Sequence, residues 1–294
     1  MSDDIPWLDR QLLERFPLPD HPDDSDKEDR GRLLVVAGSR ELPGAALLAG
    51  IAGLRAGAGK LQIATAASIA VPLGVAVPEA RVIGHGETEE GCVDPGAIGP
   101  IVARAREAQA AVLGCGLQSG PPLEALLDAL LGCGADHLPL ILDAAVLGCL
   151  APRAEALRRW PGGAAILPHA GEMSGLVGRT REEVEAEPEA AARRAAETLG
   201  IVSLVKGPFS YIVAPDGRAF RFQGGGVGLA TSGSGDVLAG IVGGLAARGA
   251  DPLTAVLWGV YAHGEAGRIL AKRVGRVGFL AREILEMIPG IVND

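Results

Sequence analysis

Six short, mostly apolar runs recur along this 294-residue chain, and five of them are followed by glycine, proline or a charged residue. They occupy 33–37, 61–65, 110–113, 139–142, 164–167 and 201–205. Four or five apolar residues in a row, without alternation, is how a strand buried on both faces reads. Ala- and Leu-rich helical stretches at 44–57, 95–108 and 121–132 lie between them. Strand, turn, helix, strand is the βαβ unit, so the expected fold is α/β with a mostly parallel sheet covered on both faces. Apolar residues make up 48% of the chain and aromatics only 3%. The core is therefore expected to be Ala, Val, Leu and Ile.

Further elements are expected around this frame. A short strand is read at 80–84, a helix from 171 onward and one amphipathic helix over 180–199. The segments 210–214 and 218–222 flank Pro215-Asp216-Gly217 and predict a hairpin. Three helices close the chain, at 237–248, 252–274 and 278–287. Residues 1–31 read as a polar lead-in with a short helix over 5–16, and 32–294 as a single catalytic domain. Residues 61–78 carry no charge, the length at which a membrane span has to be weighed. Pro72, Pro78 and the small polar residues favour a buried strand followed by a short helix.

A formal net charge of −9 disfavours nucleic acid and anionic membrane as partners. Cys92, Cys115, Cys133 and Cys149 are too far apart in sequence for a C-x-x-C pair or a metal framework. Reduced structural thiols, an acidic start and no signal-peptide pattern lead to an expected cytoplasmic location.

The chemistry concentrates where the strands end. In an open parallel sheet, ligands bind beyond the carboxyl ends of the strands. The residues expected at that edge are Gly38-Ser39, Gly114-Cys115-Gly116, Asp143, His169 with Glu172, and Lys206. The strongest element is 224–249, a glycine-rich loop running into an apolar helix. The first N–H groups of a helix lack intrahelical partners and sit at the positive end of its dipole. Gly233, Ser234 and Gly235 are thus read as an anion hole. Asp236 at its mouth would repel an anion, unless its task is to take a proton from a hydroxyl accepting a phosphoryl group. Lys206, followed by Gly207, is read as a point charge for a nucleotide phosphate. Gly57-Ala58-Gly59-Lys60 lacks phosphate-loop spacing and is set aside.

Taken in order, these pieces resemble the ADP- or ATP-dependent NAD(P)H-hydrate dehydratases of the ribokinase-like superfamily, from about residue 27 to the C-terminus. The resemblance is carried by Val35 to Ser39, by Leu54-Arg55-Ala56-Gly57-Ala58-Gly59 and by Leu167-Pro168-His169-Ala170-Gly171-Glu172. It continues in Lys206-Gly207 and in Ser232-Gly233-Ser234-Gly235-Asp236-Val237-Leu238-Ala239-Gly240. The chain departs from the family pattern at Cys115, Gln118, Ala145, Ser232 and Ser234.

The resemblance implies a ribokinase-like three-layer α/β/α sandwich. It also implies phosphorylation of the ring hydroxyl of hydrated NADH or NADPH, followed by elimination of phosphate. Asp236 would be the base. Ala45, Gly116, His169 and Asp236 would line the hydrated dinucleotide. Lys206, Gly207, Pro208, Phe209, Ser210 and Gly235 would hold the adenine nucleotide. Mg2+ would be bound mainly by nucleotide phosphates, with no side chain assigned to a metal, and a homotetramer is the family's habit. ADP is the expected donor, with ATP as the alternative. A small-alcohol kinase of the thiazole or pyrimidine type and a nucleotide-binding protein without catalysis remain as other readings.

Overall fold

The computed structural model describes residues 5–22 and 24–293. The acidic first four residues, part of the N-terminal reading above, lie outside the described residues. The chain runs α1 (Arg10–Leu13), β1 (Arg32–Val36), α2 (Pro43–Arg55), β2 (Lys60–Ala66), α3 (Ala67–Ala76), β3 (Ala80–His85) and α4 (Ile98–Ala105). It continues through β4 (Ala110–Leu113), α5 (Pro121–Leu131), β5 (Leu140–Leu142), α6 (Ala154–Arg158), β6 (Ala164–Ile166), α7 (Ala170–Val177), α8 (Arg181–Ala186) and α9 (Pro188–Leu199). It ends with β7 (Val202–Val205), β8 (Phe209–Val213), β9 (Ala219–Gln223), α10 (Ser234–Ala247), α11 (Pro252–Arg273) and α12 (Ala281–Val292).

The strands form one sheet in the order β3-β2-β1-β4-β5-β6-β7-β8-β9. Pairing is parallel from β3 to β7, and the β8–β9 hairpin adds the two antiparallel pairs. Successive side chains of a strand point to opposite faces. Leu33 and Val35 accordingly join one core with α2, α10, α11 and α12. Leu34 and Val36 join the other, with α4, α5, α7 and α9. All four residues are fully buried, each worth about 1.5–3 kcal/mol relative to exposure. The layers are thus α/β/α.

One crossing fixes the site. α2 and α10 meet through small residues. A Cβ on Gly240 would run into the carbonyl of Ala49, and one on Gly244 into that of Gly53. Only glycine allows this backbone-to-backbone approach. It brings the starts of both helices to the same edge of the sheet.

Two readings need correction. The helix expected over 180–199 is two helices. Glu187 has φ −130° and ψ 60°, and Pro188 starts α9. Proline cannot donate the hydrogen bond a continuous helix needs, and it pushes the preceding residue out of helical geometry. Within 5–16 only Arg10–Leu13 is helical. The rest of that segment lies along the hairpin, with Leu8 N donating to Arg221 O at 2.8 Å. Leu8 and Leu13 are buried in the core, and Trp258 Nε1 donates to Phe16 O at 2.7 Å. No described helix is long and apolar enough to cross a membrane.

Candidate active site

Parallel register aligns the strand ends. Val36 stands beside Leu113, Leu113 beside Leu142, and Leu142 beside Ile166. His169 and Lys206 form a further parallel bridge past the ends of β6 and β7. Gly38 N donates to Cys115 O at 2.8 Å, tying the turns after β1 and β4 together. Every strand-end residue named from the sequence therefore opens on one edge.

Asp143 follows β5 and is 3% exposed. Its side chain does not cap the helical turn after it. It accepts instead from Lys206 Nζ, at 3.1 Å on Oδ1 and 3.3 Å on Oδ2. The next residue, Ala144, has φ +55°, the one positive φ of a non-glycine among the described residues. Left-handed backbone at alanine costs on the order of 1 kcal/mol. Burial drives the Asp143 carboxyl up to about 6, with Lys206 opposing. Burial pulls Lys206 down, but Asp143 and Glu172 more than offset it, and its ammonium is held above the usual lysine range. At neutral pH the two form an ion pair.

Lys206 also reaches the start of α10. A Cβ on Gly235 would lie 3.4 Å from Lys206 Nζ and 3.7 Å from Asp143 Oδ2. Asp236 occupies the first turn of α10. Its neighbours include the Cys115 thiol, which favours its charged form. Burial raises the Asp236 pKa, and the thiol and Lys206 only partly restrain it. A raised carboxylate takes up a proton more readily, which suits a base.

The N–H groups at this helix start are not equivalent. Ser234 N donates to Thr231 O at 3.2 Å, and Val237 N to Gly233 O at 3.0 Å. Gly235 N and Asp236 N meet no acceptor among the described residues. Gly233, at φ +86°, turns the chain into the helix.

The other named residues take separate places around the edge. Ala45, in the first turn of α2, is buried against Gly116, whose added Cβ would stand 2.6 Å from the Ala45 methyl carbon. His169 caps α7. Glu172 N donates to its Nδ1 at 3.1 Å, and Glu172 Oε2 accepts from its N–H at 2.9 Å. The ring's remaining surface is exposed beside Lys206. Gly207 and Pro208 lie against the glycine turn, where Gly224 N donates to Pro208 O at 3.0 Å. Ser210 is buried in β8, and Phe209 turns outward onto the Trp7 ring, 6.1 Å between centroids. A separate cavity of about 320 Å³ lies beyond Gly116, between Asp94, Leu117 and Gln118. Asp236 does not line it.

Sequence reasoning missed His263. It sits on α11, with Nε2 2.9 Å from Ser234 Oγ. A lone histidine inside a 22-residue helix gives no local signal; only the crossing of α10 and α11 reveals it.

A family model for NAD(P)H-hydrate dehydratase matches residues 33–290. The chain belongs to this family. One curated relative, the ADP-dependent (S)-NAD(P)H-hydrate dehydratase of Xanthomonas campestris pv. campestris, is 47% identical over 96% of this chain and 94% of its own length. The crystal structure of the ADP/ATP-dependent NAD(P)H-hydrate dehydratase from Bacillus subtilis, co-crystallized with ATP/Mg2+, superposes with TM-score 0.82. It is 27% identical and 99% of each chain is covered. A ribokinase-like superfamily protein from Enterococcus faecalis gives TM-score 0.85 at 25% identity, covering 100% of this chain and 97% of that one. The dehydratase family thus has the ribokinase-like sandwich expected from the motifs.

Proposed function

We propose that this chain is an ADP-dependent (S)-NAD(P)H-hydrate dehydratase. A single placement carries the reading: at one helix start the Asp236 carboxylate shares the neighbourhood of the Lys206 ammonium with the Gly235 and Asp236 N–H groups, which have no acceptor among the described residues. Hydroxide is a poor leaving group from the hydrated ring, and phosphate is a good one. Asp236 takes the proton of the ring hydroxyl as its oxygen attacks the terminal phosphorus of ADP. The phosphorus–oxygen bond to AMP breaks. The ring nitrogen's lone pair then expels phosphate and restores the dihydronicotinamide.

The first step needs alignment and charge neutralisation. Gly235 N–H, Asp236 N–H and Lys206 face the charge of the moving phosphoryl. Ala45, Gly116 and His169 line the dinucleotide, and residues 206–210 with the 224–226 turn hold the adenine nucleotide. Among the described residues no three His, Cys, Asp or Glu side chains converge to hold a metal ion. Mg2+ on this reading would be held mainly by the donor's phosphates and water, and would supply charge neutralisation there. The expected tetramer and cytoplasmic location belong to the same proposal. α3 leaves Val71 and Val75 exposed beside the β3 edge, a surface suited to a second copy.

The test is direct. Purified protein is incubated with (S)-NADH hydrate, Mg2+ and ADP or ATP, and absorbance at the dihydronicotinamide band is followed. Regeneration with ADP supports the reading. Folded protein that regenerates nothing with either donor removes it. Accumulation of a stable phosphorylated alcohol would move the assignment to a kinase, and tight nucleotide binding without turnover to a binding protein.

A further inference from the structure

The hydroxyl of Ser234 has a choice of acceptors. Ser234 N already donates to Thr231 O, so this residue can contribute to the anion site only through its side chain. A serine side chain near a helix start commonly turns back to a nearby carbonyl. Its hydroxyl proton would then be spent inside the protein. His263 changes that balance. Its Nε2 lies 2.9 Å from Ser234 Oγ and 3.1 Å from Ser234 O.

A ring with the proton on Nε2 donates to both oxygens in a three-centre bond. Oγ then accepts, and its own proton is left free for another acceptor at the start of α10, where Ser234, 5% exposed, precedes Gly235 and Asp236. Burial, with Lys206 nearby, pushes the His263 pKa down to about 4. The ring is therefore neutral at working pH and adds no charge of its own.

We propose that His263 is a positioning residue which holds the Ser234 hydroxyl as a donor to the transferred phosphoryl group. The histidine touches neither substrate. It acts through Ser234, and it does so from α11, whose Gly264 also packs against Gly225 of the glycine turn. This inference takes its chemistry from the dehydratase reading.

A double-mutant cycle tests it. Ser234→Ala, His263→Ala and the double variant are assayed with ADP and (S)-NADH hydrate. Outright loss of an oxyanion donor costs ~10²–10³ in kcat. His263→Ala, which leaves the hydroxyl present but unaimed, is expected to lower kcat about tenfold and to leave KM for ADP within a factor of about two. In the Ser234→Ala background, the histidine change is expected to have no further effect on kcat. His263→Gln, which keeps a donor near the Nε2 position, is expected to restore most of the rate. His263→Met fills the space without a donor and stands in for alanine if the smaller residue prevents folding. Multiplicative losses in the double variant would overturn the proposal, since a histidine that merely supports the fold acts regardless of Ser234. An unchanged kcat in His263→Ala would overturn it as well, as would a loss confined to KM. If the wild-type protein regenerates no NADH, the dehydratase reading fails by itself. The same four proteins are then titrated by calorimetry with orthovanadate, a mimic of the phosphoryl group in transfer, where the coupling must appear in Kd or the His263 proposal falls too.

Discussion

Lys206 Nζ lies 3.1 Å from Asp143 Oδ1, and the same ammonium stands 3.4 Å from the place a Cβ on Gly235 would occupy. The lysine is thus held between a buried carboxylate and the first turn of α10. Its reach is set by a residue 63 positions earlier in the chain.

That geometry makes Gly235 a sensitive probe. Its φ is not positive, and an added methyl would make only ordinary contacts with Lys206 and Asp143. Gly235→Ala should therefore fold, with stability unchanged or raised by about 0.5–1 kcal/mol. The same methyl would stand where the phosphoryl group approaches. We expect kcat/KM to fall about 10²-fold. Urea melts and steady-state kinetics on one preparation check both halves. Loss of stability and rate together would argue for a packing role instead.

Asp236→Asn removes the proton acceptor but keeps its shape. A loss of ~10²–10⁴ in kcat is expected, with ADP affinity by calorimetry within a few-fold of wild type. Near-normal turnover would reject Asp236 as the base.

Asp143 predicts a pH-dependent stability. Its folded pKa of about 6 lies above the usual aspartate value. The folded state therefore binds more protons than the unfolded state between those values. Stability from this group is complete below the unfolded pKa and is lost as pH rises through about 6. Wild type should gain on Asp143→Asn by about 2–3 kcal/mol when pH is lowered from 7 to 4. Parallel chemical denaturation of the two proteins across that range measures the difference. A flat difference would show that burial does not raise this carboxyl.

Gly244→Ala tests the helix crossing. An alanine is intrinsically favoured over glycine in a helix by about 1 kcal/mol. Here its methyl would collide with the Gly53 carbonyl of α2. Overpacking should dominate, with a net loss of about 1–3 kcal/mol, read as a lower thermal midpoint. A gain in stability would mean that α2 and α10 separate easily.

What the sequence conveyed was decided by range. Residues 110–113 form β4 as read, because an uninterrupted apolar run and the Gly114 stop are local signals. The convergence of Asp143, His169 and Lys206 on one edge was legible too, since parallel strands share a direction. The Asp143–Lys206 pairing was not, because nothing local links two residues so far apart. The break at Pro188 is signalled by the proline itself, but the amphipathic pattern runs through it and masks the signal. α6 and the helical turn after Asp143 are too short to show a period. His263 was invisible for a related reason: its neighbours in sequence are apolar helix, and its partner is on another element.

The close contact of α2 with α10 also has a meaning in time. Arg248 Nη1 donates to Ala56 O across 192 residues. At ribosomal speeds of ~5–20 residues per second, α2 emerges ~10–40 s before the helix that covers it. Until then its small-residue face has no partner, and the anion site has no floor. The newborn enzyme can acquire its sheet strand by strand, but its catalytic centre forms late, when the last third of the chain has been made.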